Sequence, residues 1–176
     1  MKKCLLVIDY QRDFVDGALG FDKALTIEPR IYDKIKAYKE RHDDVIFTQD
    51  THDDDYLDTE EGSHLPVQHC IKGTEGHEIM PRIAELIDEH DTMIEKHTFA
   101  SLDLGILLKE AAYDEIELVG LVSNICVISN AIIAKAACPH ARIIIDTAAI
   151  ASFDESLHEK ALDVMEGLHI HLKNRG

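Results

Sequence analysis

Short apolar runs recur along the chain, and longer stretches of helical period separate them. The segments "CLLVID" (4 to 9), "VIFTQD" (45 to 50), "DTMIEK" (91 to 96), "EIELVGL" (115 to 121), "RIIIDT" (142 to 147) and "LHIHLK" (168 to 173) have the length and composition of strands. Between them, residues 28–41, 78–90, 102–112, 125–138 and 154–167 carry helical patterning. Pro81 suits a first helical turn, where its missing N–H leaves no bond unmade. In "SFDESLHEKALDVMEGL" Ser and Asp offer caps, Leu157, Ala161 and Met165 form an apolar stripe, and Gly167 supplies a stop. Strands and helices that alternate in this way wind a parallel sheet and cover both of its faces. The expected fold is an α/β, three-layer, doubly wound sheet of about six mainly parallel strands. No repeat or linker interrupts the pattern, so residues 1–176 read as one domain, large enough to bury a core unaided.

Residues 51–77 stand outside the alternation. They have no period and exceed ordinary connection lengths, which in a compact domain marks a functional or a disordered loop. The stretch "DTHDDDYLDTEEGSHLPVQHC" (50 to 70) is acidic, as is the whole chain, with 34 Asp and Glu against 18 Lys and Arg and a formal charge of -16. Such a field repels nucleic-acid phosphates and anionic membranes, so neither is an expected partner. The four cysteines, Cys4, Cys70, Cys126 and Cys138, include no C-x-x-C pair and fit the reduced thiols of a cytoplasmic protein. Asp9 ends the first apolar run too early for a signal peptide, and no window is long enough to span a bilayer.

Ligands of an open parallel sheet gather outside the carboxyl ends of its strands. The first three strands end in Asp9, Asp50 and Lys96, the fifth ends in Asp146, and the fourth leads to Cys126 at the start of a helix. Asp146, in "DTAAIAS", reads as a turn or cap residue and is left outside the site. Cys4 and Cys138 read as core filling. Cys126 differs because the first turn of a helix and a nearby lysine both favour a thiolate. Asp9, Lys96 and Cys126 then form a coherent acyl-transfer set. Asp9 takes the thiol proton, Lys96 holds the carboxylate and offsets negative charge, and Cys126 attacks an acyl carbon. Backbone N–H groups of Cys126 and Val122 are candidates to face the oxyanion.

The long loop offers metal ligands as well as solvated charge. In an extended strand end, Asp50 and His52 project to the same face. His69 is the chosen third ligand and Glu61 the fourth, with His64 and Glu60 as rivals that spacing alone leaves open. Asp53, Asp54, Asp55 and Asp58 read as a solvated face.

Taken together, these residues resemble the isochorismatase-like cysteine hydrolases, and among them the nicotinamidases, over nearly the whole chain. The matching motifs are "DYQRDF" for D-x-Q-x-D-F, "DTH" for the D-x-H that opens the metal loop, "LPVQHC" for a P-x-H-C-like stretch, "EKHTFAS" after the third strand, and "GLVSNICV" for G-x-x-T-D-x-C-V. The resemblance implies a catalytic Asp9, Lys96 and Cys126 and one divalent metal, zinc with iron or manganese as alternatives, on Asp50, His52, Glu61 and His69. It implies a cis peptide at Leu121–Val122, and a pocket lined by Phe14, Leu65, Phe99 and Ile125. Ser123 and Asn124 depart from the family's Thr and Asp, "LPVQHC" is one residue longer than the commonest spacing, and Leu65 replaces a frequent aromatic.

The implied activity is hydrolysis of nicotinamide to nicotinate and ammonia through a Cys126 thioester, in a family whose members are commonly homo-oligomers, dimers or larger. A related amidase acting on ureido or carbamoyl compounds is the alternative within enzymes. From another class, a phosphoryl-accepting signalling domain also presents strand-end Asp residues and a Lys, though it has no use for Cys126 or for loop histidines.

Overall fold

In the computed structural model, which describes residues 1–176, six strands carry the apolar runs: β1 (Lys3–Ile8), β2 (Asp44–Asp50), β3 (Thr92–Lys96), β4 (Glu115–Leu121), β5 (Arg142–Ala151) and β6 (His171–Lys173). They form one sheet in the order β3-β2-β1-β4-β5-β6, and every neighbouring pair is parallel. The chain winds outward from β1 to one edge and then from β4 to the other. The strand order therefore reverses between β1 and β4, where a crevice opens at their carboxyl ends.

Alternation along each strand divides the core in two. Cys4, Leu6 and Ile8 of β1 face α6 (Leu102–Ala111), α7 (Ile128–Ala137) and α8 (Glu155–Gly167), meeting Leu104, Leu108, Ala131 and Met165. Leu5 and Val7 face the opposite layer, built from α1 (Arg12–Val15), α2 (Asp22–Thr26), α3 (Glu28–Glu40) and α5 (Pro81–Ala84), with Phe14, Ile31, Ile35 and Ile83. Cover on both faces explains why the strands read as continuous apolar runs. No helix is long and apolar enough to cross a membrane.

Several elements differ from the sequence expectation. The helix expected over 78–90 is reduced to Pro81–Ala84. Downstream, Asp91 Oδ2 accepts the Asp88 N–H and Asp88 Oδ1 accepts the His90 N–H, so side chains take up amides that a longer helix would have used. The helix expected over 125–138 begins as a π-helical turn, Ser123–Val127, and only then continues as α7. In α8, Leu157 is 41% exposed and His158 is buried in its place. Gly167 lies inside that helix, and the chain reverses at His169, whose φ is 62°. β5 runs on to Ala151, so Asp146 does not end a strand. Leu118 pairs with Ile145 and Gly120 with Ile150, and the intervening residues of β5 bulge out. Asp146 is buried in that bulge against Lys34 (2.7 Å) and Arg30 (2.8 Å), away from the crevice.

Gly120 sets the approach of β4 to β1 beside the crevice. Its φ is 113°, and a Cβ there would fall 2.0 Å from the carbonyl oxygen of Ile8, the residue before Asp9. Gly120→Ala is expected to cost about 3 kcal/mol, lowering the melting temperature by roughly 6–12 °C. A variant that melts at the wild-type temperature would refute this account of the strand contact.

Candidate active site

Four strand ends converge on the crevice. Asp9 follows β1 in a left-handed conformation (φ 43°), one that Asp tolerates better than most residues, and its carboxylate is fully buried. Thr48 of β2 donates its hydroxyl to Asp9 Oδ1 at 2.7 Å. Lys96 Nζ, from the end of β3, lies 2.6 Å from Asp9 Oδ2 and 3.3 Å from Asp50 Oδ1, and it donates to Cys126 Sγ at 3.5 Å. Thr48 and Lys96 thus hold the two oxygens of Asp9 separately, the hydroxyl on Oδ1 and the ammonium against Oδ2.

The electrostatics follow from burial. Lys96 is desolvated, but the charges of Asp9, Cys126 and Asp50 outweigh that and hold its pKa well above the ordinary value. Burial raises the pKa of Asp9 despite the opposing charge of Lys96. The Cys126 thiol is likewise pushed well above its usual range, by burial first and against the pull of Lys96, with Asp9 and Asp50 adding to the rise. Burial thus works against the thiolate that a helix start and a lysine favour. A base is required to ionise it, and Asp9 stands beside it.

A second cluster shares Asp50. Its Oδ2 is 2.9 Å from His52 Nε2 and 3.4 Å from His69 Nε2, while Glu61 Oε1 lies 3.7 and 3.8 Å from the same two nitrogens. One donor atom from each of these residues falls within 4.8 Å of all the others. Burial works against the Asp50 carboxylate, but hydrogen bonds from His52 and His69 and the charge of Lys96 hold its pKa below the ordinary range. Glu61 moves the other way, raised by burial and by Asp50. Two carboxylates and two imidazoles aimed at one point, with one nitrogen of His69 held on the Val67 carbonyl (2.8 Å), fit a divalent cation of the zinc, iron or manganese type. The rivals His64 and Glu60 are 75% and 87% exposed and face each other, so the structure leaves them out of the cluster. The aspartates Asp53, Asp54, Asp55 and Asp58 are exposed.

Local structure explains why the loop folds inward. The Thr59 hydroxyl donates to the Tyr56 carbonyl (2.6 Å) and accepts the Gly62 N–H (3.0 Å), capping α4 (Glu60–His64) and turning Glu61 toward the histidines. Tyr56 is fully buried, its ring 4.7 Å from that of His52 and 4.9 Å from that of His69, and its hydroxyl donates to the Leu65 carbonyl. Gln11, also fully buried, donates to the carbonyls of Asp50 and His77 (2.9 Å each) and accepts the Asp50 N–H at 2.8 Å. Asp13 accepts the N–H of Cys70 at 2.8 Å, where the chain turns with φ 47° just after His69. The sequence reading assigned no role to Tyr56, Gln11 or Asp13. The signal available for two of them was the spacing of Gln11 and Asp13 within the "DYQRDF" motif.

An apolar pocket joins the two clusters. Phe14, Leu65, Phe99 and Ile125, the four residues the resemblance implied, line it together with Val122, Asp50, Glu61, His69 and Cys126. Leu19 and Phe153 complete the wall and were not foreseen. The peptide Leu121–Val122 is cis, as the resemblance implied. Cys4 and Cys138 lie in the core, and all four cysteines are free.

Comparison with known proteins agrees with this geometry. The Isochorismatase domain profile matches residues 3–172. The isochorismatase family protein PncA of Bacillus subtilis (strain 168) is 34% identical over 173 residues, which cover 92% of this chain and 93% of that protein. The crystal structure of nicotinamidase/pyrazinamidase PncA from Bacillus subtilis superposes with a TM-score of 0.89 at 33% identity, covering 99% of this chain and 100% of that one. The pyrazinamidase of Pyrococcus horikoshii in complex with zinc shares the fold, with a TM-score of 0.86 at 23% identity over 99% and 100% of the two chains. The signalling-domain alternative falls with these matches, since sequence, topology and crevice all lead to one assignment: the chain belongs to the isochorismatase family.

Proposed function

We propose that this amidohydrolase converts nicotinamide to nicotinate and ammonia, with Asp9, Lys96 and Cys126 as its catalytic residues. The observation that carries the reading is a buried thiol that lines an apolar pocket and meets, behind it, a lysine paired with a buried carboxylate. Asp9 Oδ2 accepts the Cys126 proton, and the sulfur adds to the carboxamide carbon. The N–H groups of Val122 and Cys126 receive the developing oxyanion. Asp9 then returns its proton to the leaving nitrogen, and ammonia departs from a thioester on Cys126. A water that Asp9 deprotonates cleaves the thioester, giving the carboxylic acid and restoring the thiol. Throughout, Lys96 keeps Asp9 and Asp50 from repelling each other in a desolvated site.

Asp50, His52, Glu61 and His69 would hold one divalent ion, zinc being the first to test. Such an ion would supply a ligand position for the pyridine nitrogen and so orient the ring. Phe14, Leu65, Phe99 and Ile125 then bracket the ring faces.

Ammonia release from nicotinamide, pyrazinamide, a carbamoyl and a ureido compound, before and after chelation, tests the reading. Nicotinamide and pyrazinamide are expected to turn over, with activity falling by about tenfold or more on chelation and returning when zinc is added. Turnover of the ureido compound with nicotinamide untouched would overturn the substrate assignment.

A further inference from the structure

Two residues that open the π-helical turn, Ser123 and Asn124, are tied to the α8 side of the molecule. Ser123 is fully buried, and its Oγ lies 2.7 Å from Nδ1 of His158, itself only 9% exposed. Ser152, in the connection leading to α8, donates its hydroxyl to Asn124 Oδ1 at 2.6 Å and accepts the Asp154 N–H at 3.0 Å. His158 is fixed in turn by α8, where its N–H donates to the Asp154 carbonyl (2.9 Å) and Asp154 caps the helix through the Leu157 N–H. On the solvent side, its imidazole has oxygens of Glu155 and Glu159 within 4.8 Å. With the ring N–H on Nε2, Nδ1 accepts from the Ser123 hydroxyl.

The turn this bond reaches is the one that presents Cys126. It closes through the N–H groups of Ile125 and Val127, both on the Val122 carbonyl, and that of Ile128, on the carbonyls of Ser123 and Ile125. π-turns are wide and energetically marginal, so outside support matters more here than in an α-helix. Ser123 has no side-chain partner besides His158. Removing the acceptor would leave a buried hydroxyl unpaired three residues before the sulfur.

We propose that His158 is a positioning residue for Cys126, acting through Ser123 Oγ to hold the turn at the one setting where Sγ meets Lys96 and Asp9. The inference rests on the reading of Cys126 as the nucleophile. His158→Phe keeps the ring and removes the acceptor, His158→Asn keeps an acceptor at the δ position, and Ser123→Ala removes the hydroxyl itself.

The first readout is the second-order rate of Cys126 alkylation by iodoacetamide, a small primary amide, with the modified residue mapped by mass spectrometry. The second is the division of the loss between kcat and KM for nicotinamide. His158→Phe and Ser123→Ala are each expected to lower alkylation and kcat by about tenfold with KM little changed, and His158→Asn to recover most of the loss. The double variant is expected to be no worse than the poorer single one, because both act through one bond. Wild-type alkylation in folded Ser123→Ala, or losses that multiply in the double variant, would overturn the proposal. Should His158→Phe fail to fold, Ser123→Ala decides alone. The alkylation arm needs no amide turnover, so a failure of the nicotinamide assignment remains distinguishable from a failure of this one.

Discussion

Cys126→Ala is expected to reduce amide hydrolysis by about 10⁴-fold or more while the protein stays folded and keeps its metal affinity. The sulfur is the one group in the pocket that can form the thioester, and none of the four proposed metal ligands is altered. The structural cost is small. Trimming one buried atom costs about 1 kcal/mol. Cys126→Ser sharpens the test, since a hydroxyl is far less acidic than a thiol and a neighbouring carboxylate ionises it poorly. Ammonia release by Cys126→Ala within tenfold of wild type, with fold and metal uptake intact, would sink the thioester mechanism.

Lys96→Met carries the second large effect, and it is expected in stability as well as in rate. The ammonium is 1% exposed and lies between Asp9 and Asp50, so a neutral side chain leaves two buried carboxylates without their cation. Breaking a buried ion cluster from one side costs about 3–5 kcal/mol. The pH dependence has a fixed sign. Burial already raises Asp9 above its unfolded value, and Lys96 opposes that rise, so the substitution lifts Asp9 further. A carboxyl raised in the folded state binds a proton that the unfolded chain releases. Its contribution to stability is whole below the unfolded carboxylate pKa, about 4, and is lost as pH climbs through the folded value. Urea unfolding of the two proteins across this range should show the deficit of Lys96→Met shrinking as the solution is acidified. A deficit independent of pH would mean that packing of the lysine stem, and not its charge, holds the site together.

Much of the crevice was legible because a strand end marks itself in sequence. Asp9, Asp50 and Lys96 each stand where an apolar run stops, and parallel pairing then carries all three to one edge. Gln11 left no such mark. It works by bonding the backbone of Asp50, 39 residues away, and a side chain that recognises a main chain carries no information about which main chain it is. Tyr56 was hidden for a related reason, since its ring against two imidazoles exists only after the acidic loop has folded back. In α8 the stripe held at Ala161 and Met165 but not at its first member, because an apolar Leu157 outranks His158 on any hydropathy criterion. Burying His158 makes sense only once Ser123 is known to need an acceptor. The helix expected to reach residue 90 failed where Asp88 and Asp91 compete for backbone amides, a local contest that periodicity does not weigh.

The two oxygens of Asp50 point in different directions, Oδ1 to Lys96 and Oδ2 to His52 and His69. One side chain is thus a party wall between the histidine cluster and the cluster of Asp9, Lys96 and Cys126. Redesign cannot treat the clusters as separate modules. A change at the two histidines alters the field on the lysine, and a change at the lysine pulls on Asp50 and so on the histidines. Directed changes in substrate preference are better sought at Leu19, Leu65 and Phe153, which line the pocket without sharing that wall.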